Sequence, residues 1–215
     1  MELDFARDEF GNEVLSGRTF ENSSFSAIEI LPKIGQQTRV ENCKFVNCST
    51  SPGTCVIGSG VTLKRVEIQN LDCGDAIRID SNATLWEVVI KGSKPNALIV
   101  QPESELRLAS MLHSHCEFQL DISEFYGEVT IVGLGRDMVK KDPNRHVTVE
   151  CKWKDEIDWK GLGIGPFSYW RIFLKKLAVF GAEIGVFSLP HHNDKHWTES
   201  LRERTLIEKA GAKTE

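Results

Sequence analysis

The chain has 215 residues, enough for one large domain or one domain with an appendage and too few for three. Its 40% hydrophobic and 27% charged content, with 17 glycines, is that of a folded globular protein and excludes wholesale disorder. A net charge of -5, from 26 Lys+Arg against 31 Asp+Glu, removes the broad positive field that phosphate backbones require, so nucleic acid is not an expected partner.

The first ten residues, Met1 to Phe10, carry five charges and no apolar run, which argues against a secretory segment and points to a cytoplasmic protein. Phe5, Phe10, Val14 and Leu15 suit a segment folding over one end of the repeats that begin at Phe20, so residues 1–19 read as an N-terminal cap. From Phe20 a period of about 22 residues sets in. Phe20-Glu-Asn-Ser-Ser-Phe25 is echoed by Val40-Glu-Asn-Cys-Lys-Phe45, Leu63-Lys-Arg-Val-Glu-Ile68, Leu85-Trp-Glu-Val-Val-Ile90, Leu106-Arg-Leu-Ala-Ser-Met111 and Val129-Thr-Ile-Val-Gly-Leu134, evenly spaced to within a few positions. Apolar or small residues recur at positions one, four and six, and the last two have the strand period, so they point to one interior. A second ladder keeps step: Cys55-Val-Ile57, Ile77-Arg-Ile79, Leu98-Ile-Val100 and Leu120-Asp-Ile122. Turn-forming stretches follow it in register, at residues 58–62, 80–84 and 101–105.

Six such coils over residues 20–151, with alternating strands and polar corners, resemble the right-handed parallel β-helix, the fold of the pectate-lyase-like superfamily. The stretch Asn70-Leu-Asp-Cys-Gly-Asp-Ala-Ile-Arg-Ile79 carries the same grammar. A leucine-rich repeat has a similar period, but its Leu-x-x-Leu-x-Leu-x-x-Asn consensus and per-repeat helix do not recur. The expected fold is therefore an all-β solenoid with a C-terminal helical capping region. Within it the six cysteines are too sparse for a disulfide scaffold. Cys43 takes the place of Val66 and Val88, Cys48 that of Leu71 and Cys55 that of Ile77, as small buried hydrophobes; Cys73, Cys116 and Cys151 complete the set of reduced thiols.

Periodicity fades after Cys151, and four of five tryptophans (Trp153, Trp159, Trp170, Trp197) lie beyond it, so residues 152–215 have packing of their own. Phe167 to Leu189 is the most apolar stretch, but Arg171, Lys175, Lys176 and Glu183 interrupt it, which marks buried protein and not a membrane span. Pro166 after Gly161-Leu-Gly-Ile-Gly165 suits the first turn of a helix from about Phe167 to Phe180. Leu189 to Asp194 reads as a loop, and Thr198 to Lys209 as an amphipathic helix with Leu201 and Leu206 on one face. Leu108 and Ile131, read as outward apolar positions, predict that this tail also covers the flank of coils four to six.

The similarity of Asp72-Cys-Gly-Asp-Ala-Ile-Arg-Ile79 to the aspartate-bearing strand of polygalacturonases implies that an enzyme reading would rest on Asp72, Asp75, Asp80 and Arg78, with paired carboxylates activating water and protonating the leaving oxygen. The adjacent aspartate pair, the Gly-His-Gly and the Arg-Ile-Lys of that family are missing. His113, His115 and Cys116, and His191, His192 and His196, match no zinc spacing, so neither metal nor cofactor is expected. The second position of each coil gives an outward column Glu21, Glu41, Lys64, Trp86, Arg107, Thr130. Lys64, Trp86 and Arg107 form its candidate binding surface, with Trp86 between two cations. These features favour a noncatalytic recognition protein, an inhibitor or immunity-type module whose acidic balance suits a basic protein partner. The alternatives are a carbohydrate-active lyase or hydrolase and a structural or assembly module.

Overall fold

The computed structural model describes residues 1–33, 35–51, 53–103, 117–134 and 136–215, without the side chain of Arg136. Its strands stack into a parallel β-solenoid of about five turns with three faces. Face one consists of Glu13–Ser16, Thr38–Glu41, Val61–Lys64 and Thr84–Trp86 in parallel, with Ala6–Arg7 antiparallel at its outer edge. Thr19–Glu21, Lys44–Val46, Glu67–Gln69, Val88–Lys91, Leu120–Asp121 and Val139–Lys140 make face two. Face three runs Ile28–Ile30, Cys55–Ile57, Ala76–Asp80, Ala97–Gln101 and Glu128–Val132.

Alternation builds the interior. Val40, Leu63 and Leu85 stack in register on face one, Phe45, Ile68 and Ile90 on face two, and Cys55, Ile77, Leu98 and Val129 on face three, all buried. Burial of such side chains stabilises by about 1.5–3 kcal/mol each. Cys43, Cys48 and Cys55 are buried as expected, and Cys73 is buried as well. The thiols of Cys43 and Cys48 donate to the carbonyls of Leu15 and Phe20 in the preceding coil, at 3.6 and 3.3 Å.

Between faces the chain turns on single left-handed residues. Asn42, Arg65 and Glu87 have φ of 53, 52 and 54° at one corner, and Asn22, Asn47 and Asn70 have φ of 50, 51 and 50° at the next. Asparagine visits this conformation readily; Arg65 and Glu87 hold it at a cost of about 1–2 kcal/mol each. Their N–H groups stay in the ladder: Asn42, Asn47, Arg65 and Asn70 donate to the carbonyls of Lys64, Gln69, Trp86 and Lys91 at 2.8–3.0 Å. The Asn70 side chain also donates to Asn47 Oδ1 at 3.3 Å and accepts from Ser93 N at 2.9 Å.

The register differs from the sequence expectation at both ends. Phe20 stacks on Phe45, not on Val40, whose neighbour is Leu15. Glu13–Ser16, expected to cap the first coil, is thus a strand of the stack, and Phe10 is 80% exposed. At the other end, Leu120–Asp121 belongs to face two above Val88–Val89, and Val129 sits on face three above Leu98. The step along the chain from Val89 to Asp121 is half as long again as that from Glu67 to Val89, so the coil between is longer than the repeat implies. Residues 106–111, the fifth unit of the sequence repeat, lie outside the described residues, Leu108 and Ala109 among them. Ile131 faces the interior and is fully buried.

Beyond Val132 the parallel order of face three ends. Ile184–Ser188 pairs antiparallel with Glu128–Val132 on one side and with His146–Glu150 on the other. No sequence pattern marks this strand, because a short apolar run following an apolar helix carries no distinguishing period. The outer edge of His146–Glu150 is in turn bonded by the C-terminal segment, with Thr148 N donating to Thr214 O at 2.8 Å. Helix Tyr169–Phe180 lies across this extension. Ser168 caps it by accepting from Arg171 N at 3.2 Å, and Gly181 ends it at φ 66°, so Pro166 and Phe167 precede the helix. Trp153, Trp159, Trp170, Phe173, Leu177 and Phe187 form a second core beneath it, as the tryptophan-rich tail implies. Helix Trp197–Lys209 buries Ser200, Glu203 and Ile207, while Leu201 and Leu206 are only partly covered.

Gly185 allows the helix to approach: an added Cβ would meet the Ile131 carbonyl and come within 2.8 Å of Leu177 Cδ2 and 2.9 Å of Phe173 Cζ. Gly185→Ala is expected to lower unfolding free energy by about 1–3 kcal/mol, read as a lower urea midpoint. Two buried groups make stability pH-dependent in opposite senses. His146 is fully buried with both ring nitrogens unpaired, and burial, aided by Arg145, pushes its pKa down from 6.5 to about 4. The unfolded chain takes up a proton that the folded chain refuses, so this contribution is complete above pH 6.5 and is lost as pH falls toward 4. Burial, then Glu199, pushes Glu203 up from 4.5 to about 7, so its contribution is complete below pH 4.5 and is lost as pH rises through 7. Urea midpoints of Glu203→Gln across this range are expected to lose the alkaline decline and to keep the acid one.

Candidate functional site

The four residues of the enzyme reading fall into three structural settings. Asp80 is buried; its Oδ1 accepts from Asn82 N at 2.7 Å and Asn82 Nδ2 at 2.9 Å, and its Oδ2 from Glu103 N at 3.0 Å. Those bonds tie the turn after Ala76–Asp80 to the turn of the next coil, so both carboxylate oxygens are occupied. Asp72 is exposed and ion-paired with Lys94 in a shallow polar cleft lined by Asn47, Ser49, Asn70 and Ser93. Asp75 is exposed on the approach to face three, where its carbonyl accepts from Ala97 N at 3.0 Å. Arg78 projects outward between Val56 and Ile99 and shares a cleft with Asp80, separate from that of Asp72.

The Lys64–Trp86 part of the expected column is present. The two residues are register partners, and Lys64 Nζ lies 5.0 Å from the Trp86 ring centroid, a cation–π contact worth about 0.5–1 kcal/mol on a surface. Trp86 Nε1 donates to Glu87 Oε1 at 3.3 Å. Continuing the column through Lys64 gives Glu41 and then Ser16. Glu21 instead lies on face two beside Val46, and Thr130 on face three between Ile99 and Phe187. Arg107, His113, His115 and Cys116 lie outside the described residues. Among the described residues no group of three His, Cys, Asp or Glu side chains is placed to hold a metal ion.

A groove that no local sequence pattern marks runs beside helix Tyr169–Phe180. Its cavity of about 340 Å³ is lined by the helix residues Tyr169, Ile172, Phe173 and Lys176, by Glu128 to Thr130, by Tyr126 and Arg145, and by the loop from Ser188 to His191 with Asp194. Segments far apart in sequence therefore build it. Arg145 stiffens one wall: its two terminal nitrogens donate to the carbonyls of Phe125 and Tyr126 at 2.8 and 2.7 Å, and its guanidinium lies 5.4 Å from the Tyr126 ring centroid. Tyr169 stands edge-on to His196, centroids 6.1 Å apart. Burial, followed by the charges of Asp194 and Glu128, raises the Tyr169 pKa, and the phenol remains a hydrogen-bond donor. At the other end, burial and then the Arg78 charge lower the Lys176 pKa. The only sequence signal for this wall is the spacing Tyr169, Ile172, Lys176, Val179, which places these residues on one stripe of a helix.

Asp80→Ala is expected to cost about 1–3 kcal/mol of stability, since it leaves the Glu103 and Asn82 N–H groups without their acceptor. A urea midpoint unchanged from the parent would show that the turn does not depend on this carboxylate.

Among the described residues no helix is long and apolar enough to cross a membrane. Compared with known proteins, the chain matches no family model, no curated protein and no solved structure.

Proposed function

We propose that this chain is a noncatalytic, cytoplasmic recognition module that binds another protein through the groove beside helix Tyr169–Phe180. The observation that carries the reading is where exposed apolar surface gathers. Of the eight large hydrophobic side chains exposed among the described residues, five gather here: Tyr126, Tyr169 and Ile172 on the groove wall, Val179 on the same helix, and Phe167 just before the helix begins. Phe167 is 86% and Val179 59% exposed. Leaving such side chains in water on one flank is unfavourable unless something covers them, and such patches mark interaction sites. Lys64 and Trp86 offer a second, flatter surface on face one.

The stacked coils support likeness to the pectate-lyase-like fold at the level of architecture. The carbohydrate-cleaving chemistry of that superfamily finds less support, because Asp80 is held within a turn and Asp72 within an ion pair. An inhibitor or immunity-type role, with a basic partner suited to the net charge, is the form of recognition favoured by composition.

The test is affinity capture from the native host with the full chain as bait. A stoichiometric protein bound by the parent, and reduced at least tenfold by Ile172→Glu without change in the thermal midpoint, is the expected result. Retention of the protein by Ile172→Glu, or cleavage of an acidic oligosaccharide that Asp75→Asn abolishes, would overturn the reading. A mass that doubles with concentration in the parent and not in Ile172→Glu would assign the stripe to self-assembly instead.

A further inference from the structure

The groove has a polarity along its length, set by different residues of the same helix and the same strand. Glu128 and Asp194 act on Tyr169 at one end. Lys176, half-buried in the groove wall that Thr130 also lines, stands at the other. Arg78 lies beyond this end. It stands in the outward column Arg78, Ile99, Thr130 of face three, each step about 4.8 Å, in the neighbouring cleft with Asp80 and Glu103, and its charge contributes to the lowering of the Lys176 pKa. The two cations are thus within electrostatic reach of one another. Among the described residues neither forms an ion pair or a side-chain hydrogen bond, whereas Lys44, Lys91, Lys94 and Lys140 each have a carboxylate partner. Holding two like charges together over a partly apolar wall is unfavourable in the free protein, and an anion placed between them removes the repulsion. Tyr169 and Lys176 are two helical turns apart, about 10 Å along the axis, with the apolar side chains Ile172 and Phe173 between.

We propose that the partner segment seated in this groove carries an acidic side chain that docks between Lys176 and Arg78, an apolar side chain against Ile172 and Phe173, and a donor or basic group about 10 Å away facing Glu128 and Asp194. The inference rests on the reading of the groove as a protein-binding surface and specifies the chemistry of what enters it. It also reverses, at this one end, the preference for basic partners that the net charge of -5 sets for the molecule as a whole.

The test is selection of displayed random heptapeptides on the immobilised full chain, run in parallel on Lys176→Glu, Arg78→Glu, Ile172→Glu and Lys176→Arg, each first checked for an unchanged thermal midpoint. The expected result is enrichment on the parent of Asp or Glu beside an apolar residue, retained on Lys176→Arg, with acidic residues replaced by basic ones on Lys176→Glu. A synthetic peptide of the enriched sequence should bind at least tenfold more weakly to Lys176→Glu and to Arg78→Glu and lose affinity with added salt. Peptides whose enrichment depends on Ile172 but is indifferent to Lys176 and Arg78 would overturn this inference and leave the groove as a recognition surface. Enrichment indifferent to all three positions, or no enrichment, would overturn both, as would selective binding of a uronic-acid oligosaccharide in place of any peptide.

Discussion

The fold depends on the backbone ladder that ties each coil to the next, and above all on its continuity through the corners. A chain turning between faces has to reverse its side-chain direction without losing hydrogen bonds, and a single left-handed residue does both. At Asn42, Arg65 and Glu87 the N–H still points along the stack, to a carbonyl one coil away at 2.8–3.1 Å. Because the bend is repeated at the same height in each coil, inward residues fall above inward residues, and the core is a set of columns of like side chains. The cost of left-handed φ at Arg65 and Glu87 is offset by the burial of Leu63, Val66, Leu85 and Val88 on either side. The backbone geometry places them there.

The same geometry explains what is legible in the chain and what is not. Alternation and a recurring period identify a solenoid, and the cysteines standing where valine and leucine stand elsewhere are identified as core. The phase of the first coil is ambiguous for a physical reason. Val40-Glu-Asn-Cys-Lys-Phe45 is followed at once by Phe45-Val-Asn-Cys-Ser-Thr50, so each coil contains two successive strand-and-bend units. Phe20 satisfies either unit equally, and only pairing decides that it lies over Phe45. The longer step to Asp121 moves Leu120 and Val129 onto faces other than those a constant period implies, since a repeat found by regular spacing cannot register an insertion.

The candidate sites divide along the same line. Lys64 and Trp86 are legible as neighbours because they lie within the stretch where the step is constant. The groove is not, because Tyr126, Arg145, Ile172 and Pro190 come from a loop, a turn, a helix and a second loop, and no local pattern joins them. Asp80 is open to two readings. An aspartate after a glycine-bearing turn and an alternating strand has the composition of a catalytic motif, yet the same carboxylate is equally suited to accept backbone N–H groups, and in the structure it is buried and accepts from Glu103 N and Asn82 N.

The strand Ile184–Ser188 occupies a place between two segments that both precede it in the chain. During synthesis on a ribosome, Glu128–Val132 and His146–Glu150 emerge first and have no partner at that position, so the growing end of the spiral stays open until the helix and the strand after it have been made. Closure is therefore non-vectorial: the coils can assemble in order behind the ribosome, while the last layer waits for a later piece to slide in edgewise. A protein assembled this way carries its own edge protection as a delayed insert, and the interval before insertion is when an unpaired strand would be most open to capture by a holding chaperone.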